Sequence, residues 1–291
     1  MKSTMKGKLI SGLVIFFIFY LAIHLKDFHT ISFELVDTIS FVPLLPNVHV
    51  LLSVITVPNA YERRSIVRNA YLLQHSNINE GNSVDVRFVF CNLSTEEERV
   101  LVAMEIMVFN DIIILNCTEN MNEGKMYTYF SSLPSMFGKG KYDYVVKTDD
   151  DTYFRLDNLI QTLIKAPKEE VYLGLLVPHV ETVEFMSGMG YILSWDMVEW
   201  ISRSEMVRNH TAGPEDVVTA KWLEAGGRGK NKIDVKPRMY DFPEEPFEWF
   251  RHDFIPDTLA VHKLKDATRW AKTLRYFNVT NGLVKPSKYP L

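Results

Sequence analysis

Short apolar runs rich in β-branched residues alternate with helix-patterned segments from about residue 47 onward, and this alternation constrains the fold most strongly. The predicted strands cover 48–57, 84–91, 111–117 and 142–147, and the predicted helices cover 62–75, 94–109 and 123–137. Near-continuous apolar strands separated by helices indicate a parallel sheet covered on both faces. The pattern therefore predicts an α/β fold whose ligands bind at the carboxyl ends of the strands.

The segment 94–109 carries a clear helix signal. Ser94 and Glu97 have the spacing of a capping box, in which two side chains bind each other's backbone N–H groups at the start of a helix. Leu101, Met104 and Val108 then recur at intervals of three and four residues, which places them on one helix face. We expect an amphipathic helix that begins near Ser94.

The N-terminal segment is predicted to cross a membrane. Residues Leu9–Leu25 carry no formal charge and follow Lys2, Lys6 and Lys8 without an acidic residue, and such lysines favour the cytosolic side. A cleaved signal peptide is the alternative, but no small-x-small cleavage site follows Tyr20. We therefore predict four parts: a cytosolic tail at 1–8, a transmembrane signal anchor at 9–25, a stem at 26–46 and a lumenal domain at 47–291.

Sequons, cysteines and charge agree with a lumenal protein that does not bind nucleic acid. Asn-x-Ser/Thr sequons begin at Asn92, Asn116, Asn209 and Asn278. The two cysteines, Cys91 and Cys117, exclude a dense disulfide framework and leave open either one bridge or two buried thiols. A net charge of −4 provides no electrostatic footprint for a polyphosphate partner.

Three adjacent aspartates, Asp149, Asp150 and Asp151, follow the strand predicted at 142–147. Adjacent carboxylates repel one another, so such a run occurs either in a solvated loop or around a divalent cation. Because an apolar strand brings its carboxyl end to the ligand-binding edge of the sheet, the position favours a metal site. Phe154 stands where an EF-hand loop needs glycine, and the chain has no glycine-rich dinucleotide or P-loop motif.

The aspartates belong to a series of motifs that resembles the β-1,3-galactosyltransferase family. In chain order the motifs are RSIVR at 64–68, FVFC at 88–91, NDI at 110–112, EGK at 123–125, YDYVVKTDDDTYFRLDNL at 142–159, MSGMGYILS at 186–194, PEDV at 214–217 and AVH at 260–262. Eight motifs in the family's order make the resemblance specific over about residues 50–270. The C-terminal run AVHKLKDATRWAKTLRYFNVT is similar to plant members of the family.

The resemblance implies a GT-A-type, Rossmann-like nucleotide-binding fold with a mixed, mostly parallel central sheet. It also implies a Golgi enzyme that is anchored as a single-pass type II membrane protein and uses a UDP-sugar and Mn²⁺. A divalent cation suits such a reaction because it neutralises the charge that develops on the departing diphosphate.

The resemblance places the metal on Asp151 and His262. Asp149 is expected to help, either as a further ligand or through the ribose, a lysine or a bound water. Carboxylate oxygens and an imidazole are a ligand set that Mn²⁺ accepts. Without the resemblance, a histidine after the apolar run 259–261 would be interpreted as a structural residue.

The resemblance implies that Asp216, in the motif PEDV at 214–217, is the catalytic base. Such a base is needed because an acceptor hydroxyl attacks well only if a nearby carboxylate takes its proton. Glu215 is then expected to contact the acceptor or to orient the loop. The alternative role for Asp216 is an N-cap of the helix predicted at 217–225, and the two roles are compatible.

Further residues are expected to contact the UDP-sugar, each with a plainer alternative. Arginines and lysines on helices commonly lie on a solvated face, and glycines commonly form turns. The candidate donor-binding residues are Arg64, Arg68, Lys125, Asp149, Asp150, Gly188 and Gly190.

The predicted activity is inverting, Mn²⁺-dependent transfer of galactose from UDP-galactose to the 3-hydroxyl of a glycan on a glycoprotein or proteoglycan, which forms a β-1,3 linkage. A β-1,3-N-acetylglucosaminyltransferase using UDP-GlcNAc is the first alternative, because the donor sugar depends on a few contacts that the sequence does not locate. The others are an inactive, membrane-tethered carbohydrate-binding relative and an unrelated metal-dependent hydrolase.

Overall fold

Strands and helices alternate through the first half of the described residues, as the sequence predicts. A computed structural model describes residues 46–75, 78–178, 183–246 and 249–280. The first elements along the chain are β1 (His49–Ile55), α1 (Tyr61–Leu72), β2 (Ser83–Phe90), α2 (Glu96–Phe109), β3 (Ile112–Ile114), α3 (Lys125–Phe137) and β4 (Tyr144–Asp149). β3 is shorter than the strand expected at 111–117, and the other elements agree closely with their predictions.

The second half adds antiparallel strands and further helices. These elements are β5 (Tyr153–Phe154), α4 (Leu156–Leu163), β6 (Val171–Val177), β7 (Phe185–Ser194), α5 (Trp195–Arg203), α6 (Glu205–Arg208), α7 (Glu215–Ala225), β8 (Asn231–Asp234), β9 (Met239–Asp241), β10 (Ala260–His262) and α8 (Ala267–Tyr276).

The main sheet has seven strands in the order β3-β2-β1-β4-β7-β6-β8 among the described residues. β1 lies between β2 and β4 and is parallel to both, whereas β7 is antiparallel to β4 and to β6. The α/β class and the mixed, mostly parallel sheet are therefore confirmed, and they agree with the GT-A-type architecture that the resemblance implies.

A small second sheet, in the order β5-β10-β9, brings the far end of the chain to the acidic run. β10 pairs antiparallel with β5, which follows the three aspartates directly. β10 also pairs in parallel with β9, in a register that sets His262 opposite Asp241. The two short strand pairs therefore position His262 beside residues more than 100 positions earlier in the sequence.

The hydrophobic core covers both faces of the main sheet. In β1, Val50, Leu52 and Val54 belong to one buried cluster, and Leu51 and Ile55 belong to the other. Successive side chains of a strand point to opposite faces, so a strand buried on both sides is expected to be apolar at most positions. This explains why the strands were visible in the sequence as nearly unbroken apolar runs.

The start and the apolar face of α2 differ from the sequence prediction. The capping box is formed by Thr95 and Glu98, one residue later than the predicted pair, and the Glu98 carboxylate also accepts a bond from the Ser94 N–H. Met104 and Val108 are exposed, whereas Val102 is buried. Helical spacing shows which residues share a face, but it does not show which face meets the core.

The cysteines and the sequons lie within the described residues, whereas the predicted membrane anchor at 9–25 lies outside them. Cys91 and Cys117 form a disulfide bond, which decides between the two alternatives that the sequence left open. The asparagines of all four sequons are exposed. No helix in the described part of the chain is both long and apolar enough to span a bilayer.

Candidate functional site

Asp149, Asp151 and His262 come together at the carboxyl end of β4, as the resemblance implied. Each offers one ligand atom, and these atoms lie within 4.8 Å of one another. His262 Nε2 lies 3.4 Å from Asp151 Oδ1 and 4.0 Å from Asp149 Oδ2. The arrangement offers two carboxylates and an imidazole around one point.

Asp241 completes this group from behind His262. The Nδ1 atom of His262 lies 2.6 Å from Asp241 Oδ1, and a bond from Nδ1–H to this carboxylate leaves the Nε2 lone pair facing the other aspartates. A metal-binding histidine usually has such a partner, which fixes its tautomer and ring orientation. The donor atoms and this support fit a divalent cation such as Mn²⁺.

The charges of the group support ionised aspartates around His262. Burial raises the pKa of Asp151, but hydrogen bonding and attraction from His262 and Lys265 outweigh burial and hold that pKa far below its ordinary value. Burial lowers the pKa of His262, but the carboxylates of Asp151 and Asp241 outweigh burial and raise it. Asp151 therefore remains an anionic ligand in the metal-free chain.

Asp150 turns away from the other two aspartates. Its Oδ2 accepts a bond of 2.6 Å from the hydroxyl of Thr56, which follows β1, and its Oδ1 lies 3.4 Å from Arg63 NH1. Burial raises the pKa of Asp150, although the Thr56 hydroxyl lowers it. Asp150 thus joins the ends of β1 and β4 and does not belong to the proposed ligand set.

A continuous chain of contacts links Asp216 to Asp149. Asp216 Oδ2 accepts a bond of 3.1 Å from the N–H of Gly188, whose carbonyl accepts a bond of 2.6 Å from Lys147 Nζ. Lys147 Nζ also donates to Asp149 Oδ1 at 2.8 Å. The structure therefore brings the candidate base to the same edge of the sheet as the candidate ligands. It also identifies a lysine partner for Asp149.

Asp216 is not the N-cap of α7, which corrects that alternative. Pro214 occupies the N-cap position without a side-chain capping bond, and Asp216 lies in the first helical turn. Its Oδ1 accepts a bond from the N–H of Val217. An ionised carboxylate has about four lone-pair sites, so two backbone bonds leave capacity to accept a proton.

Glu215 is held inside the protein, so of its two expected roles the structure supports orientation of the loop. Its Oε1 lies 2.5 Å from Lys147 Nζ, and its Oε2 accepts a bond of 3.1 Å from the Tyr191 hydroxyl. Burial raises the pKa of Glu215, and the adjacent Lys147 opposes this shift. Both carboxylate oxygens are therefore used by internal partners.

The two candidate glycines differ in what surrounds them. A Cβ added at Gly188 would lie 2.9 Å from Glu215 Oε1 and 3.3 Å from Asp216 Oδ2, so glycine is required where the chain passes the acidic pair. A Cβ at Gly190 would lie 2.8 Å from the Phe154 ring. Gly188 belongs to the site, whereas Gly190 is buried in the core and makes no surface available to a donor.

Arg64 and Arg68 do not face the site, contrary to the expectation that they bind the donor. Arg64 is fully buried and binds the Glu105 carboxylate together with the carbonyls of Val57 and Pro58. Arg68 binds Glu105 at 2.9 Å and Asp111 at 2.6 Å. A guanidinium has five donors in a fixed fork, and here these donors join α1 to α2 and to the start of β3.

Lys125 lies behind the site and does not contact open space. Its ammonium donates to the carbonyl of Thr56 at 2.8 Å and pairs with Glu119. Burial lowers the pKa of Lys125, and Glu119 opposes this shift. Lys125 therefore supports the segment that holds Asp150, and the expected contact with the donor is not available to its buried side chain.

Sequence reasoning did not identify Lys147, Asp241, Lys265 or Arg63 as part of the site. Lys147 is two residues before Asp149 and points to the same face, as alternate strand positions do, and this spacing was a usable signal. Asp241 carried no such signal, because its role depends on the parallel register of β9 with β10.

Comparisons with known proteins find galactosyltransferases. Residues 62–184 match the family model described as Galactosyltransferase. The chain is 26% identical over 259 residues to beta-1,3-galactosyltransferase pvg3 of Schizosaccharomyces pombe, which covers 70% of this chain and 68% of that protein. It is 23% identical over 217 residues to hydroxyproline O-galactosyltransferase GALT5 of Arabidopsis thaliana, which covers 67% of this chain and 32% of that protein.

A further relative and a solved structure are also similar to this chain. Beta-1,3-galactosyltransferase 6 of Mus musculus is 26% identical over 196 residues, which are 58% of this chain and 58% of that protein. A solved structure of the galactosyltransferase LgtC in complex with donor and acceptor sugar analogs aligns with 82% of this chain and 98% of that chain, at 12% identity and a TM-score of 0.45.

The chain thus spans about two thirds of the yeast relative and less than two thirds of the mouse and Arabidopsis relatives. The matched family region contains Asp149 and Asp151, and the fold adds His262 and Asp216 beside them. Together, the family match and the relatives show that this chain contains a galactosyltransferase family domain, and they support a glycosyltransferase.

Proposed function

We propose that this protein is an inverting β-1,3-galactosyltransferase that transfers galactose from UDP-galactose to the 3-hydroxyl of a glycan acceptor and depends on Mn²⁺. One observation supports the proposal most strongly. The group formed by Asp149, Asp151 and His262 is connected to Asp216 by hydrogen bonds through Lys147 and Gly188. A ligand set for a cation and a carboxylate base thereby lie at one edge of the sheet.

Asp149, Asp151 and His262 would hold the cation, and Asp241 would keep the imidazole in the required tautomer. A bound divalent cation would neutralise the negative charge on the departing diphosphate. Lys147 holds Asp149 and Glu215 at fixed positions, so that the ligand side and the base side of the site keep their separation.

Asp216 is the proposed base. The acceptor oxygen forms a bond to the anomeric carbon of the sugar, the bond from that carbon to the phosphate oxygen breaks, and UDP leaves with the electron pair. The hydroxyl proton passes to a carboxylate oxygen of Asp216. Attack on the face opposite the leaving group inverts the configuration, so an α-linked donor gives a β-linked product.

The choice of galactose is supported by the names of the relatives, which include β-1,3-galactosyltransferases from yeast and mouse. A relative from Xenopus laevis is a β-1,3-N-acetylgalactosaminyltransferase, 24% identical over 152 residues, so an N-acetylated donor, including UDP-GlcNAc, is the competing assignment. The proposed acceptor is a glycan on a glycoprotein or proteoglycan. The proposed location is the Golgi membrane, with the described part on the lumenal side.

A donor screen tests the proposal. The full chain, incubated with Mn²⁺ and a β-galactoside acceptor, is expected to release UDP from UDP-galactose faster than from UDP-GlcNAc or UDP-GalNAc, and a chelator should stop the release. The Asp216→Asn variant should bind Mn²⁺ and UDP as the unchanged chain does, while transfer falls about a hundredfold or more. Transfer at the native rate by this variant would remove Asp216 as the base. Faster use of UDP-GlcNAc would replace the donor assignment.

A further inference from the structure

Each of the three adjacent aspartates has its own cationic partner, and the partners differ in exposure. Lys147 pairs with Asp149 at 2.8 Å and its side chain is fully buried. Arg63 pairs with Asp150 at 3.4 Å and is 29% exposed. Lys265 pairs with Asp151 and is 57% exposed. Asp151 is the most buried of the three aspartates, and its partner Lys265 is the most exposed of the three cations.

The backbone beside Lys265 is fixed, whereas its ammonium group is held by one carboxylate. The N–H of Leu264 donates to the carbonyl of Asp151 at 2.9 Å, and the carbonyl of Lys265 accepts a bond of 3.1 Å from Arg63 NH2. The first bond joins the segment after β10 to the aspartate run, and the second joins it to α1. The long, exposed lysine side chain can therefore change its position while its backbone remains in place.

We propose that Lys265 is an internal counter-ion of the metal site, which neutralises Asp151 in the metal-free chain, leaves it when a divalent cation binds, and then pairs with the diphosphate of the nucleotide. The inference deepens the proposed function and rests on it for the identity of the diphosphate. Lys265 would act as a positioning residue for the leaving group and as a competitor of the metal.

Electrostatics gives the reason for the displacement. An ammonium and a divalent cation at the same carboxylate repel each other, so binding of the cation favours movement of the lysine towards solvent. A flexible ammonium that has left Asp151 pairs readily with phosphate oxygens, so Lys265 would bind the diphosphate of the nucleotide.

Lys147 and Arg63 are poorly suited to this movement. Lys147 is buried and binds Asp149, Glu215 and the carbonyl of Gly188 together, so its departure would leave two carboxylates without their partner. Arg63 bridges Asp150 and the backbone of Lys265. Within the described part of the chain, Lys265 pairs with one carboxylate, that of Asp151, and its side chain is exposed. These two properties suit a cation that exchanges partners.

The test compares Lys265→Met with Lys272→Met in the full chain. Lys272 is a matched control, because it is a similarly exposed lysine in the neighbouring helix α8 and pairs with Glu244 at 2.7 Å. Binding of Mn²⁺ alone, followed by electron paramagnetic resonance of the free ion, is expected to tighten about fivefold in Lys265→Met because a competing charge is removed. UDP binding at saturating Mn²⁺, measured by calorimetry, should weaken about fivefold.

The two opposite shifts distinguish the proposal from a structural role, since a damaged site would bind both ligands more weakly. Lys265→Arg should restore UDP affinity, and Lys272→Met should change neither affinity. Unchanged or weaker Mn²⁺ binding in Lys265→Met would overturn the counter-ion role, and unchanged UDP binding would overturn the diphosphate contact. Both measurements use no sugar, so a chain that shows the two shifts but transfers no galactose would contradict the proposed function alone.

Discussion

Two groups of acidic and basic side chains in this fold differ in how exposed their cations are. The arginine cluster consists of Arg64, Arg68, Glu105 and Asp111, and the aspartate cluster consists of Asp149, Asp151, His262 and Lys265. In the arginine cluster, Arg64 is fully buried and both carboxylates are bound by guanidinium groups. In the aspartate cluster, the cation on Asp151 is an exposed lysine.

The comparison shows that residue type and position near a strand end do not by themselves identify a functional group. The arginine cluster has its hydrogen-bonding groups paired within the protein, so it stabilises the contact between α1 and α2. In the aspartate cluster, ligand atoms from distant parts of the chain converge on one point, and the Lys265 partner of Asp151 is exposed. Converging ligand atoms with an exposed cationic partner distinguish this cluster from a structural ion-pair network.

The largest expected difference between the clusters comes from one change made in each of them. Asp151→Asn should weaken Mn²⁺-dependent UDP binding by more than about a thousandfold, because a charged ligand is lost from the proposed metal site. Asp111→Asn should leave UDP binding unchanged, because Asp111 binds Arg68 at a distance from the ligand set. Calorimetry of UDP with Mn²⁺ measures both. Equal losses in the two variants would erase the distinction between the clusters.

Lys147→Met should destabilise the protein by about 3–5 kcal/mol, because it leaves the buried Glu215 carboxylate without its charged partner. Lys168→Met is the matched control: Lys168 pairs with Asp143 at 3.0 Å but is 41% exposed. The control should change the free energy of unfolding by less than about 1 kcal/mol. Urea unfolding gives both values. A loss of less than about 1 kcal/mol in the free energy of unfolding for Lys147→Met would mean that the ion pair of Lys147 with Glu215 does not stabilise the fold.

Glu105→Gln should lower the free energy of unfolding by about 2 kcal/mol, because charged hydrogen bonds to Arg64 and Arg68 are lost. The rate of sugar transfer by the folded variant should remain unchanged. Glu96→Gln, a change in an exposed residue of the same helix that pairs with Arg99, controls for the loss of one negative charge. A reduced transfer rate in Glu105→Gln with unchanged stability would place the arginine cluster in the active site.

The smallest expected effect is a pH dependence of stability that arises from Glu105. Burial raises the pKa of Glu105, but hydrogen bonds from Arg64 and Arg68 outweigh burial and lower it below the ordinary value. A lowered folded-state pKa contributes stability above the unfolded value of about 4.3, and this contribution is lost as the pH falls through the folded-state pKa. As the pH is lowered from 6 to 3, the difference in urea midpoint between the unchanged chain and Glu105→Gln should therefore shrink. A constant difference across this range would contradict the assignment.

The parts of the fold that the sequence predicts are those that depend on local periodicity. Strands such as β1 are buried on both faces and are therefore mostly apolar, so their approximate limits and the position of the aspartates at the end of β4 follow from the sequence. The family motifs then indicated His262 and Asp216, which local patterns alone did not assign to the metal and the base.

The remaining features depend on tertiary contacts that no local pattern contains. Arg64 follows β1 closely and was a reasonable donor ligand, but Glu105, 41 positions away, lies against it and removes it from the site. The capping box was displaced by one residue because Ser94 and Thr95 are adjacent residues that can both cap a helix, and the backbone conformation selected Thr95. Gly190 resembled Gly188 in the motif, but the Phe154 ring occupies the space beside it.

The short pairing of β10 with β5 also sets a minimum size for a working fragment. The family match at 62–184 includes the aspartate run, but Asp216 and His262 come later in the chain. A truncated polypeptide limited to the matched stretch would carry the acidic signature without its proton acceptor or its imidazole. Gene fragments recognised through that stretch alone would therefore encode a recognisable but incomplete catalyst.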